Sequence, residues 1–386
     1  MNGAWTYLPF EEAVEICDSL RKPINNKERS QRVEGKRPEE LYPYYGATGQ
    51  VGVIDGYITD GEYVLLGEDG APFLNPLASK AYIITGKTWV NNHAHVLKSK
   101  FNNRFLCYYL NSINYKGYVS GTTRLKLTQS AMKQISIPVP SVQEQERIVA
   151  HIEELFSQLD TGIKTLKRTQ RKLDIYRQAV LKAVFANVNQ KKPVRELSEF
   201  VTSGSRGWAK YYADYGARFV RITDLTRDSI YLKNDNIQYV LLPENAEGKR
   251  SRLQGNDVLV SITADLGSIA WIPENIEEAY INQHIAMIRF KHPKQGELMA
   301  WYFKSDYGQN DLLKNKRGGG KLGLGLDDIR NTLVPVLADV EAEQMLDEIV
   351  SRLSVCYEIE RTVEYTIQEA EAMRQSILKK AFEGRL

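Results

Sequence analysis

The sequence predicts mixed α/β (α+β) globular units alternating with two long α-helices that form an antiparallel coiled coil, the whole being a pseudo-two-fold internal repeat. Three observations carry this reading: a repeat at one fixed offset, heptad combs in both copies of one segment, and short apolar runs between Gly, Asn and Asp in the other. Residues 177–185 (RQAVLKAVF) return as 374–382 (RQSILKKAF), an offset of 197. Without a gap, that offset pairs Gly121 with Gly318, Leu127 with Leu324, Pro138 with Pro335, Glu144 with Glu341 and Ile152 with Ile349. Upstream the repeat is fainter: 89–93 (WVNNH) resembles 280–284 (YINQH) at an offset of 191, and 108–110 resembles 301–303 at 193. Loop insertions account for the drift. The order is A–B–A′–B′, with A over 1–140, B over 141–188, A′ over 189–337 and B′ over 338–386.

In A, the runs 63–66 and 82–84 read as short strands and 105–110 as a short helix. Residues 21–37 (RKPINNKERSQRVEGKR) hold seven Lys/Arg against two Glu. With the loop 44–50 (YYGATGQ) and the segment 121–127 (GTTRLKL), they offer Lys27, Arg29, Arg32, Lys36, Arg37, Tyr45, Thr48, Gln50, Arg124 and Lys126 as nucleic-acid contacts. Gly lets backbone N–H groups approach a phosphate, Lys and Arg neutralise it, and Arg, Asn, Gln and Tyr can read base edges. His93 and His95 would share a strand face, but the repeat keeps His284 and replaces the other with Ala286, which argues against a two-His metal site and for a packed or hydrogen-bonded His93. Asn91 and Asn282 read as structural, bonding a neighbouring loop.

B is one helix: Pro138 and Pro140 precede it, Ser141 and Glu144 form a capping box, and Asn187 stands at the left-handed C′ position. At roughly 44 residues it would span about 66 Å. Ile152, Leu159, Leu166, Leu173 and Val180 lie on one seven-residue comb, with Ile148, Leu155, Tyr176 and Ala183 on its partner comb.

A′ repeats the pattern of A. The runs 219–222 and 257–261 are strands and 298–303 a helix, and the loops 203–212 and 316–321 offer Arg206, Trp208, Lys210, Tyr211, Lys316, Arg317 and Lys321. B′ opens on Pro335 with Asp339 as N-cap, carries Ile349, Cys356, Val363, Ala370 and Ile377 on its comb, and closes on Gly384 at C′. Charge chooses the direction. The basic second half of B (163–182) complements the acidic first half of B′ (341–364), as antiparallel packing requires, whereas parallel packing would oppose two acidic halves. That arrangement would place A and A′ at opposite ends of a rod.

The net charge of +3, from 51 Lys+Arg and 48 Asp+Glu, neither supports nor opposes a nucleic-acid partner. Cys17, Cys107 and Cys356 are too few and too scattered for a disulfide framework or a C-x-x-C metal site, which points to a reducing cytoplasm. No secretory leader and no run of 18 apolar residues is present, so a soluble cytoplasmic chain without membrane contact is expected. Catalytic motifs are missing as well. Gly320-Lys321 is followed by Leu322, which fails as a P-loop, and Asn75-Pro-Leu-Ala78 lacks the second proline and the aromatic residue of an adenine-methyltransferase tetrapeptide.

Two variable α/β units alternating with two repeated helices resemble the DNA-specificity subunit of type I restriction–modification enzymes. The segment 121–127 looks like the family's closing segment of a target-recognition domain, and it runs through 135–140 (ISIPVP) into 144–148 (EQERI) as in that family. The resemblance implies that each globular unit reads one half of a bipartite double-stranded DNA target, and that the coiled coil sets an unread spacer below roughly 19 base pairs. It also implies that the helices, whose seam is Ile152, Leu159, Leu166, Leu173, Val180, Ile349, Val363 and Ile377, dock two methyltransferase (modification) subunits. The chain itself would be non-catalytic and without cofactor. S-adenosylmethionine would belong to the methyltransferase partner, and ATP and Mg to a restriction/translocase subunit. A DNA-modifying enzyme and a DNA-independent coiled-coil scaffold stand as alternatives.

Overall fold

The computed structural model of the chain describes residues 5–243, 249–314 and 323–386. The chain divides into two units: Met1–Lys167 with Glu364–Leu386, and Arg168–Val363. This division cuts across the four-segment order, because each unit takes one α/β body together with one end of each long helix.

In the first unit, an antiparallel sheet runs in the order Val14–Ile16, Ala94–Ser99, Tyr63–Gly67, Ala81–Ile84. Val64, Leu65 and Leu66 are fully buried, as expected of a strand covered on both faces. A second sheet runs Gly49–Ile54, Tyr42–Gly46, Lys87–Val90, Thr59–Asp60, with its central pair parallel and Tyr44 opposite Trp89. The chain passes from the second sheet to the first through a turn at 91–93. The helix Asn103–Ser112 is capped by Asn102, whose side chain accepts the Phe105 N–H at 3.0 Å.

The second unit repeats this plan, including the parts where the sequence repeat is faint. Its antiparallel sheet runs Ser198–Ser203, Ile285–Phe290, Val258–Ser261, Ile269–Trp271. Its second sheet runs Tyr212–Ala213, Tyr239–Val240, Ala217–Val220, Ala279–Ile281, again with a parallel pair that sets Phe219 opposite Tyr280. The helix Gly296–Lys304 matches Asn103–Ser112. A two-stranded pairing precedes each long helix: Thr6–Leu8 with Ile137–Val139, and Lys191–Pro193 with Leu333–Pro335.

The long helices are Val142–Phe185 and Asp339–Phe382, 44 residues each. In the first unit Ile148, Val149 and Ile152 from the start of one share a core with Ile377, Leu378 and Ala381 from the end of the other. In the second unit Leu173, Val180 and Leu181 share a core with Ile349, Leu353 and Cys356. The start of each helix thus meets the end of its mate, and the pairing is antiparallel. Val363 is buried too, and Leu159 and Leu166 are half-buried. Charge bridges the seam where predicted, with Arg177 from the basic half binding Glu360 of the acidic half; at the other end Arg374 also binds Asp160. Each helix ends on a phenylalanine packed edge-on against a tyrosine of its unit's short helix, Phe185 on Tyr302 at 5.2 Å and Phe382 on Tyr109 at 5.3 Å.

Several local expectations need correction. Tyr176 is 46% exposed, and the neighbouring Arg177 is buried in its stead because Glu360 and Asp174 satisfy its charge. The capping box is half formed: Ser141 accepts the Glu144 N–H at 3.3 Å, but the Glu144 carboxylate turns to Arg147 at 2.8 Å. Asp339 lies inside the first turn rather than capping it, and its carboxylate accepts from Gln295. Asn187 does not take the left-handed conformation, whereas Gly384 does, with φ 69°. The Arg385 N–H bonds the Lys380 carbonyl and the Gly384 N–H that of Ala381, closing the helix as a Schellman turn. Among the described residues, no helix is long and apolar enough to cross a membrane.

Candidate nucleic-acid interface

The junction between the two sheets is built the same way in both units. At 91–93 the Asn91 side chain accepts the His93 N–H at 2.8 Å, and at 282–284 Asn282 accepts the His284 N–H at 3.1 Å. Both asparagines are nearly buried, and their backbone N–H groups bond the ends of Tyr42–Gly46 and Ala217–Val220 through the Tyr45 and Val220 carbonyls. They are structural, as expected, although each bonds its own turn. The histidine carbonyls receive Glu68 and Asp69 N–H in one unit and Ile262 N–H in the other. The closing segment then pairs onto the same strand end, with Leu127 N–H on Glu68 and Leu324 N–H on Ile262. Of the middle residues of the two turns, Asn92 is exposed and Gln283 half-buried.

His93 sits in this turn and not on a strand, so it does not share a face with His95; its Nδ1 lies 3.5 Å from Asp69 and its side chain is 39% exposed. His95 is the buried histidine, held between Asp18 at 2.8 Å and the Leu127 carbonyl at 3.0 Å. Burial works to raise the Asp18 carboxyl, but hydrogen bonds from His95 and the Val96 N–H, with the charge of Arg21, hold it below the usual carboxylate range. Glu68 is shifted the same way: Arg21, His95 and Lys126 outweigh its burial. This cluster anchors the closing segment to the sheet.

The sequence-derived contact candidates of the first unit differ in their surroundings. Arg29 and Arg32 fix the helix Asn26–Val33 to the sheet, stacking over Tyr44 at 4.9 Å and Trp89 at 4.8 Å, with Arg32 also paired to Asp55. Arg37 is held by Glu39 and Glu40. Lys27, Lys36, Thr48 and Gln50 are exposed, and Tyr45 is half-buried against Tyr82. Arg124 and Lys126 lie beside the turn, ion-paired to Asp69 at 2.6 Å and Glu68 at 3.3 Å, yet their side chains remain 59% and 50% exposed. They are positioned and still reachable.

In the second unit, Trp208 is buried against Phe219 and Tyr280 and serves the core of the small sheet, while Arg206 is exposed and Lys210 stacks over Tyr211. Ser203, Ser205, Arg206, Arg250 and Gln283 line an open polar groove there. Gly204 holds its loop against the turn, because a side chain there would start 1.9 Å from the Ile281 carbonyl oxygen. Lys316, Arg317 and Lys321 lie outside the described residues. Arg250, Gln283 and Asn92 were not singled out by sequence reasoning; the repeated N-N/Q-H tripeptide was the signal that could have found the last two. Among the described residues, no group of three or more His, Cys, Asp or Glu is placed to hold a metal ion.

The family model described as "Type I restriction modification DNA specificity domain" matches residues 12–168 and 190–369. A putative type I restriction enzyme specificity subunit of Haemophilus influenzae is 38% identical over 149 residues, which is 38% of this chain and 36% of that protein. The EcoBI specificity subunit of Escherichia coli is 23% identical over 380 residues, 89% of this chain and 77% of that one. In fold, the chain matches one from a structural study of complex assembly and conformational transition of the type I R-M system, with a TM-score of 0.69, 16% identity and coverage of 100% and 99%.

Proposed function

Because the chain belongs to the family of type I restriction modification DNA specificity domains, matched once in each half, we propose that it is the sequence-reading subunit of a type I restriction–modification enzyme, working in the cytoplasm. Each unit reads one half of a bipartite duplex target, and the length of the joining helices sets the unread spacer. The observation that carries this is the repeated junction, where one scaffold of turn, strand end and closing segment presents different side chains in the two units. Two different half-sites require that combination of constant frame and variable surface. Apolar side chains left exposed on the long helices, among them Ile175, Val340, Val355 and Tyr365, suit docking of two methyltransferase subunits. The chain performs no chemistry itself. Those subunits supply S-adenosylmethionine and adenine methylation, and a restriction/translocase subunit supplies ATP- and Mg-dependent work.

Footprinting of the chain with its methyltransferase partner should show two protected blocks on a specific duplex; protection of none would favour a DNA-independent scaffold. Methyl transfer by the purified chain alone would refute the non-catalytic role. Replacing Arg124 with Ala should lower the slope of log K against log salt by about 1, the loss of one phosphate contact, and an unchanged slope would remove Arg124 from the interface.

A further inference from the structure

The middle residue of the repeated turn carries an amide side chain in both units. In the second, Gln283 Nε2–H donates to His284 Nε2 at 2.9 Å, and His284 Nδ1–H donates to Thr263 Oγ1 at 2.6 Å. This relay fixes the amide plane and leaves Gln283 Oε1 and the second Nε2–H without a partner among the described residues. Gln283 is half-buried in the groove flanked by Arg206 and Arg250. The loop carrying Arg206 is fixed beside the turn by the parallel bridge between Ser205 and Asn282. In the first unit, Asn92 occupies the matching place, exposed, with the phosphate-facing candidates Arg124 and Lys126 joined to the same strand end.

The donor and acceptor on the fixed Gln283 amide plane match the N7 acceptor and N6–H donor of adenine in the major groove, the Asn92 amide offers the same pair of groups, and neighbouring arginines suit the flanking phosphates. Resting on the specificity-subunit reading, we propose that Gln283 and Asn92 are the base-contacting residues of their respective half-sites, each pairing with an adenine edge. The buried Asn282 and Asn91 position them without touching DNA. Because the turn is pinned at both ends, changing its middle residue alters the base contact and leaves the frame intact.

The test is selection of bound duplexes from a randomised pool by the full chain in complex with its methyltransferase partner, wild type against Gln283→Glu and Asn92→Ala, with the salt dependence of binding measured alongside. A glutamate can only accept, so Gln283→Glu should exchange an adenine for a cytosine preference at one position of one half-site, by roughly ten- to a hundredfold. Asn92→Ala should relax one position in the other half-site only and keep the wild-type salt slope. Unchanged base preferences in both variants, with the wild-type chain still selecting a bipartite site, would overturn the inference and leave the function standing. A wild-type chain that selects no site would overturn both.

Discussion

At positions 197 residues apart, Ile152 and Ile349 are both completely buried, while the side chain of Arg177 is 5% exposed and that of Arg374 29%. Arg177 reaches Asp174 and Glu360 and lies over Tyr357, whereas Arg374 meets Asp160, itself 65% exposed, and stacks on Phe156. The same contrast recurs in the α/β bodies. His95, buried in the first unit, is hydrogen-bonded to Asp18 where the second unit sets Ala286 beside Ser203. Asn111, which bonds the Ala81 backbone, gives way to the buried Lys304, which donates to the Thr226 carbonyl. Apolar packing is thus held in register by shape and volume, while each unit solves its buried polar positions independently.

The strongest way to break the comparison is at the shared seam. Ile152→Asp and Ile349→Asp should each cost about 4 kcal/mol or more, since each puts a carboxylate where no partner exists. Chemical denaturation should show similar losses for both, and a marked inequality would mean that the two seams are not equivalent. Next comes the arginine pair. Arg177→Ala should cost about 3 kcal/mol by stripping Glu360 of its buried partner, and Arg374→Ala less than about 1 kcal/mol because its ion pair is exposed. Equal losses would show that burial does not separate them.

Lys304 sharpens the contrast through pH. Burial pushes its ammonium down to about 7, only partly offset by Asp228. Between that value and the ordinary lysine range the unfolded chain holds a proton that the folded chain lacks, so Lys304 makes stability rise with pH across this window. Lys304→Met should remove that rise; urea unfolding at pH 7 and pH 9.5 would show it, and an unaltered pH dependence would contradict the assignment. The smallest effect concerns Ala264, left-handed at φ 58°, which follows Thr263 as Gly70, at φ 76°, follows Asp69. Ala264→Gly should stabilise by about 1 kcal/mol in thermal unfolding, and a loss of that size would mean that its methyl group does more than strain the turn.

The long helices were legible because their seam obeys a seven-residue spacing that any packed helix pair enforces. The reading failed at Tyr176, where a buried ion pair displaced an aromatic residue from the comb. The α/β bodies were legible as strands but not as sites. Arg29 and Arg32 look like free cations in sequence and become sheet anchors only once Tyr44 and Trp89 are brought beneath them. Trp208 carries the same ambiguity, since an aromatic residue in a basic loop can serve either a base stack or a core. The Arg124–Asp69 pair joins residues far apart in the chain, which no local pattern reveals.

The proposed role requires the two units to read two separate blocks of one DNA site. Single-molecule sequencing of methylated adenines in host DNA, with and without this gene, tests it most directly. A motif of two specified blocks separated by a fixed unread gap, present with the gene and lost without it, is expected. A single uninterrupted motif, or a methylation pattern indifferent to the gene, would contradict it.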